Sequence, residues 1–396
     1  MVGGFGRVRR VAAAGALVGC HLVSTSTFVS VSTSGMVPAR HGRPLALEST
    51  VASPATVVAA LTGPGSINDT DTRGLVKGTD LGIMWQSDSG AVLAAFGDTF
   101  GTGWTGHGSA GTPAADDWRS NTLARSRDQH LADGMTLRFV EDDPGHAREL
   151  LASKKVDADE ITVIPTAGVA VGRRNYVHYM SVRQWVSHGV WTTNYAGVAY
   201  SDDDGETWVK DPEARWPNEA GAGDTFQMTA YARSEGFVYV FGTPSGRGGD
   251  VRLARVPEDR LLSPQAYRYW DGSDWSPDIS AAVPVVAAPV GEMSVQYNAY
   301  LERWTMMYVH DPAAAPGAPG AGGDVLRAAV LRTAARPTGP WSRAEVVATS
   351  ADYPGLYAPF IHPWSAGSGD QDLYFTLSLW DPYGVQLMKT TLGGPA

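Results

Sequence analysis

Apolar residues along this chain fall in short runs separated by clusters of Gly, Pro, Asp and Ser. The runs are Leu81–Trp85, Ala91–Phe96, Ile161–Ile164, Tyr176–Val182, Ala196–Tyr200, Phe237–Phe241, Arg252–Val256, Thr305–Val309, Val325–Leu331, Leu373–Ser378 and Val385–Thr390. No stretch sustains a 3.6-residue period, so the pattern predicts an all-β body. It extends from about residue 60 to 394, and four-stranded blades would take roughly 65–70 residues each if there were five of them. The expected fold is therefore a five-bladed β-propeller, with six smaller blades as the second choice. Two stretches rich in Gly, Ala and Pro, 101–115 and 312–324, read as loops, the first placed to act as a lid.

The turns carry more information than the strands. Ser201-Asp202-Asp203-Asp204-Gly205-Glu206-Thr207-Trp208 resembles the Asp-box turn of sialidase-like propellers at every specified position. Its physics is that of a tight hairpin: Asp bonds turn amides, Gly takes a positive φ and Trp packs between strands. Such a turn belongs on the outer part of a blade and is a device of the fold. A second hairpin carries candidate chemistry. Asp88-Ser89-Gly90 has the form of a type I turn closed by a G1 bulge, pairing Ser87 with Ala91. That register sets Asp80 opposite Asp98. Cross-strand side chains on one face have Cβ atoms about 4.5–5.5 Å apart, and two carboxylates at that spacing raise the pKa of one of them. A one-residue slip would separate their faces; the plainer reading has one Asp bonding turn amides and the other solvated.

Composition narrows the partners. Lys and Arg number 31 against 41 Asp and Glu, a formal charge of −10, which argues against nucleic acid. The single Cys20 excludes an intramolecular disulfide, and the nine His show no ligand spacing, so neither metal nor cofactor is expected. At the N-terminus, Arg7, Arg9 and Arg10 precede the apolar Val11–Gly19, the pattern of a secretory signal over residues 1–19. Leu17-Val18-Gly19-Cys20 resembles a bacterial lipobox, with cleavage before a lipidated Cys20; a plain signal cut later is the alternative. Residues 20–58 read as a flexible tether that could lend a first or closing strand, and 59–394 as the propeller domain. The expected product is a monomer, exported and either lipid-anchored to the outer face of the cytoplasmic membrane or secreted. It would touch the membrane only through that anchor.

Paired carboxylates point to glycoside hydrolysis. Asp80, starting the innermost strand, is assigned as nucleophile or base and Asp98 as proton donor; the close spacing leans toward retention. Glu292, at a strand entry, is a third-acid candidate, or else a surface Glu. Arg119, Asn121 and Arg247 sit in turns where they would bind hydroxyls, though solvated arginines are as common there. Trp104, Trp118, Trp185, Trp191 and Trp380 could stack on sugars, and each alone is more often packing.

These residues also carry a family resemblance. Thr79–Gly82, Phe96–Phe100, Arg119–Asn121, Tyr176–Trp208, Phe241–Arg247, Tyr267–Trp270, Gly291–Ser294 and Ser378–Tyr383 together resemble an actinobacterial family of endo-D-arabinanases, long a domain of unknown function. The resemblance implies a five-bladed propeller that cleaves α-D-arabinofuranosyl linkages inside mycobacterial cell-wall arabinan, with Asp80 and Asp98 at the catalytic positions. The alternative is a non-catalytic, lectin-like propeller that binds wall glycan. A sialidase is the third and weakest reading, because an Asp box marks a fold and not a site.

Overall fold

A computed structural model of the chain describes residues 52–106, 108, 117–187, 189–315, 326–366 and 371–393. The signal, Cys20 and nearly all of the tether lie outside the described residues, as do parts of both expected loops.

Five antiparallel sheets follow one another along the chain, each built from the axis outwards. The first blade contains Leu81–Gln86, Val92–Phe96, Thr122–Ser126 and Arg138–Phe139, and the second Thr162–Val171, Arg174–Ser187, Val190–Ser201 and Val209–Pro217. In the third, Met228–Ser234, Phe237–Thr243 and Gly249–Pro257 are extended by Arg268–Trp270, Trp275–Ser276 and Pro284–Val290. Met293–Asn298, Arg303–His310, Ala328–Ala334 and Glu345–Thr349 form the fourth. The fifth takes Leu356–Ile361, Asp372–Leu379 and Gly384–Thr391 from the end of the chain and Thr56–Ala60 from its beginning. Thr56 lies opposite Lys389 and Ala60 opposite Gln386, so the last sheet ties the two ends together and closes the ring. This closing strand crosses the expected tether boundary at 58. Residues 56–58 thus supply part of the closing strand that the tether was expected to be able to lend.

The architecture is the expected five-bladed propeller. Each inner strand packs against the inner strands of the blades before and after it, the fifth returning to the first. Apolar residues fill the wedges between blades, for example Val198 and Trp216 against Tyr231 and Val240, or Trp85 and Leu93 against Val177 and Tyr179. A further cluster sits on the axis, with Leu81, Ile83, Ile164, Met228, Tyr357 and Phe360. Removing these apolar faces from water is what holds separate sheets in one ring.

The Asp box joins the outer two strands of the second blade, as its sequence predicts. Thr207 N donates to Asp203 Oδ1 at 2.8 Å, Thr207 Oγ1 donates to Asp203 Oδ2, and Gly205, at φ 89°, donates to Ser201 Oγ at 2.8 Å. Trp208 meets Trp85 of the first blade edge-on at 6.3 Å, and Arg125 donates to Asp204 O, so the turn clasps two blades. Asp203→Ala removes the acceptors for Thr207 and should cost about 1–3 kcal/mol of stability. Urea denaturation would show this, with activity below the transition unchanged; a parallel loss of activity would contradict a purely architectural role.

Candidate active site

A cavity of about 340 Å³ opens at the end of the axis where the inner strands begin. Its floor comes from that end of all five inner strands: Asp80 and Leu81, Ile164–Thr166, Met228 and Thr229, Glu292 and Met293, and Tyr357 and Phe360. Asp98 also lines it, together with Trp185, Trp191, Arg247, Arg327, Trp380 and Tyr383.

The hairpin register holds from Ile83 to Ser87, breaks at Leu81–Gly82 and is regained at Gly78, which pairs with Phe100. Ile83 pairs with Ala95, but Leu81 pairs with Phe96, so Gly82 is an extra residue in a β-bulge. Asp80 thus lies opposite Gly97, whose N–H donates to Asp80 O at 3.1 Å, and not opposite Asp98. Leu81 and Gly82 both take positive φ, 71° and 80°, a conformation that costs a non-Gly residue of order 1–3 kcal/mol. The fifth blade holds the bulge in place: Leu81 N donates to Ser378 Oγ at 2.9 Å and Thr376 Oγ1 donates to Gly82 O at 3.0 Å. Inner strands of two other blades are bulged at the same level, between Pro165 and Ala167 and between Tyr357 and Phe360. Bulges re-aim side chains beside functional sites, and here they surround the cavity.

The Asp80 side chain lies across the neighbouring strand, where a Cβ on Gly97 would collide with Oδ1. Gly97 is required for space, since its φ is not positive. Gly97→Ala should displace the Asp80 carboxylate and lower turnover by about 10²-fold, with far smaller effect on the unfolding temperature. Wild-type turnover in this variant would show that Asp80 needs no fixed position.

The two carboxyls differ in what surrounds them. Asp98 is 4 % exposed, and its Oδ1 accepts from Trp118 Nε1 at 2.8 Å and from Thr162 Oγ1 at 2.6 Å. Asp80 Oδ2 accepts from the Tyr357 hydroxyl at 2.9 Å, and the Tyr383 hydroxyl also faces the carboxyl. Burial pushes Asp80 up to about 7, helped by the charge of Asp98 and less by Glu292, against the hydroxyls of Tyr357 and Tyr383. Burial also raises Asp98 to about 7, helped by the charge of Glu149 and opposed by Thr162, Trp118 and the nearby Lys155. Near neutral pH the pair is therefore poised to hold a proton on one member and a charge on the other.

Glu292 and Arg247 do meet in the cavity wall. Arg247 Nε donates to both Glu292 oxygens at 3.2 and 3.0 Å and Nη2 to Oε1 at 2.8 Å, and the guanidinium lies 5.2 Å from the Tyr357 ring centroid. Arg119 and Asn121 do not reach it. Arg119 donates to the carbonyls of Gly74, Leu75 and Ala147, and Asn121 braces Leu151 and Val163. Both are internal supports, correcting the expectation of substrate binding. Both side chains are buried, so backbone groups and, for Arg119, the Asp117 carboxylate at 3.4 Å face them rather than solvent or sugar. Tyr357, Tyr383, Thr162, Lys155 and Arg327 were not singled out from sequence, since nothing in local spacing marks them. Among the described residues no three His, Cys, Asp or Glu are gathered to hold a metal ion.

The fold and cavity define a five-bladed propeller with a buried carboxylate pair at its axial mouth. The chain belongs to the family described as Domain of unknown function (DUF4185), which matches residues 65–389. It is 32% identical over 332 residues to Notoamide biosynthesis cluster protein J of Aspergillus sp. (strain MF297-2), covering 80% of this chain and 83% of that one. A crystal structure from Bacteroides ovatus ATCC 8483 shares the fold at 14% identity and a TM-score of 0.53, over 82% of this chain and 88% of that one. The α-L-arabinofuranosidase of Podospora anserina solved with cellotriose gives a TM-score of 0.48 at 12% identity, over 87% of this chain and 98% of that one.

Proposed function

We propose that the chain is a glycoside hydrolase, an endo-D-arabinanase that cuts internal α-D-arabinofuranosyl linkages of mycobacterial arabinan in arabinogalactan and lipoarabinomannan. One observation carries the hydrolase reading: two buried carboxyls raised to about 7 share a cavity walled by aromatic side chains. That is what a proton donor beside a base or nucleophile requires. The arabinan substrate is supported by the sequence resemblance around Asp80, Asp98 and Glu292.

The surroundings favour one division of labour. Two donors on Asp98 Oδ1, with Lys155 nearby, stabilise an ionised carboxylate. The charges of two acidic neighbours, Asp98 and Glu292, favour a proton on Asp80. Asp80 then protonates the departing glycosidic oxygen while Asp98 attacks the anomeric carbon or activates a water. This reverses the assignment from strand position. Glu292, held by Arg247, adds its charge to the upward shift of Asp80. The argument for retention from cross-strand spacing falls with the bulge, so the first-formed anomer decides the stereochemistry.

Incubation of purified protein with arabinogalactan tests the activity, which requires released oligosaccharides. A lectin would retain the glycan and release nothing, and that result would overturn the enzyme reading.

A further inference from the structure

The first blade carries both acids, and its neighbours in the ring are the second and fifth blades. Asp98 is bonded by Thr162 of the second blade and Asp80 by Tyr357 of the fifth, so the acids lean toward opposite neighbours. Each of those neighbours presents one exposed indole to the cavity. Trp185, 41 % exposed, stands on the long hairpin of the second blade and packs edge-on against Trp191 at 5.5 Å. The hairpin tip is fixed where Arg247 N donates to Gly189 O at 3.0 Å. Trp380, 39 % exposed, follows the second strand of the fifth blade and packs edge-on against Tyr357 at 6.2 Å and Tyr383 at 5.8 Å.

Partly exposed indoles that line the cavity, braced by rings of its wall and, for Trp380, flanked by Gly108, fit a ligand with flat apolar faces. We infer that Trp185 and Trp380 are sugar platforms on opposite sides of the scissile linkage, Trp380 on the leaving-group side beside Asp80 and Trp185 on the other. The site then grips a furanoside chain through residues on both sides of the bond it cuts. This inference rests on the proposed glycosidase activity and on the placement of the proton on Asp80.

The two platforms should separate kinetically. With arabinan oligosaccharides as substrate, Trp380→Ala raises KM about 10-fold and shifts cleavage along the chain. With an aryl α-D-arabinofuranoside, which has no sugar on the leaving side, Trp380→Ala leaves KM within about 2-fold. Trp185→Ala raises KM for both substrates. Trp380→Phe and Trp185→Phe keep a stacking ring and should restore most of the loss, which a folding defect would not show. Wild-type KM and product pattern in both Ala variants would overturn the inference while leaving the activity standing. Should the wild-type protein release no oligosaccharide, the activity falls separately. Affinity electrophoresis in arabinogalactan then reads the platforms: retardation lost in the Ala variants supports them, and unchanged retardation or none in the wild type overturns them.

Discussion

Replacing Asp80 or Asp98 by Asn is expected to cut turnover of arabinan by about 10²–10⁴-fold while leaving glycan binding largely intact. Asn keeps the shape of the carboxyl and removes both the charge and the acidic proton. The two variants should then differ on a substrate with an activated leaving group. A nitrophenolate departs with little need of protonation, so Asp80→Asn should recover much of its activity on 4-nitrophenyl α-D-arabinofuranoside. Asp98→Asn should not, because the missing group there is the one that attacks or activates water. The opposite pattern would exchange the two roles. Near-wild-type turnover of arabinan in either variant would remove that residue from the mechanism.

The same hairpin shows what can be read from a sequence and where the reading stops. Turn chemistry at Asp88-Ser89-Gly90 fixes the register near the loop, and Ile83 to Ser87 pair as expected. The register fails at the Leu81–Gly82 bulge, for which a Gly inside an otherwise apolar strand was the available signal. Inner strands are the least legible part of the fold. Leu356-Tyr357-Ala358-Pro359-Phe360-Ile361 contains a Pro and an Ala at φ 49°, so it reads poorly as a strand although it carries Tyr357 into the cavity. The bulges that spoil the periodicity of these strands are the ones that aim residues at the axis. Arg119 and Asn121 failed for a different reason. A polar side chain in a Gly- or Asn-containing turn gives no hint of whether solvent or backbone carbonyls will surround it. Tyr357 and Tyr383 meet Asp80 only through closure of the ring, across nearly 300 residues of chain.

Holding two acids near neutral in a buried cavity must weaken the fold, and this gives the second large expected effect. Each carboxyl has an ordinary value of 3.8 and a folded value of about 7. Below about pH 4 both are protonated whether the chain is folded or not, and they impose no penalty. Between about pH 4 and 7 the folded protein binds more protons than the unfolded chain, so stability falls as pH rises through that window. A three-unit shift corresponds to roughly 4 kcal/mol for one group. The pair contributes less than twice that figure, because part of the Asp80 shift is the charge of Asp98 itself. An Asn at either position has no proton to lose and should escape the penalty. Asp80→Asn is therefore expected to stabilise the protein by about 2–4 kcal/mol at pH 8 and to make little difference at pH 4. Asp98→Asn should gain less, since it leaves Trp118 and Thr162 facing a weaker acceptor. Urea titrations of the wild type and both variants at the two pH values measure this directly. A gain of equal size at pH 4 and pH 8 would mean that the acids are not protonated in the folded state, and their poise for proton transfer would have to be abandoned.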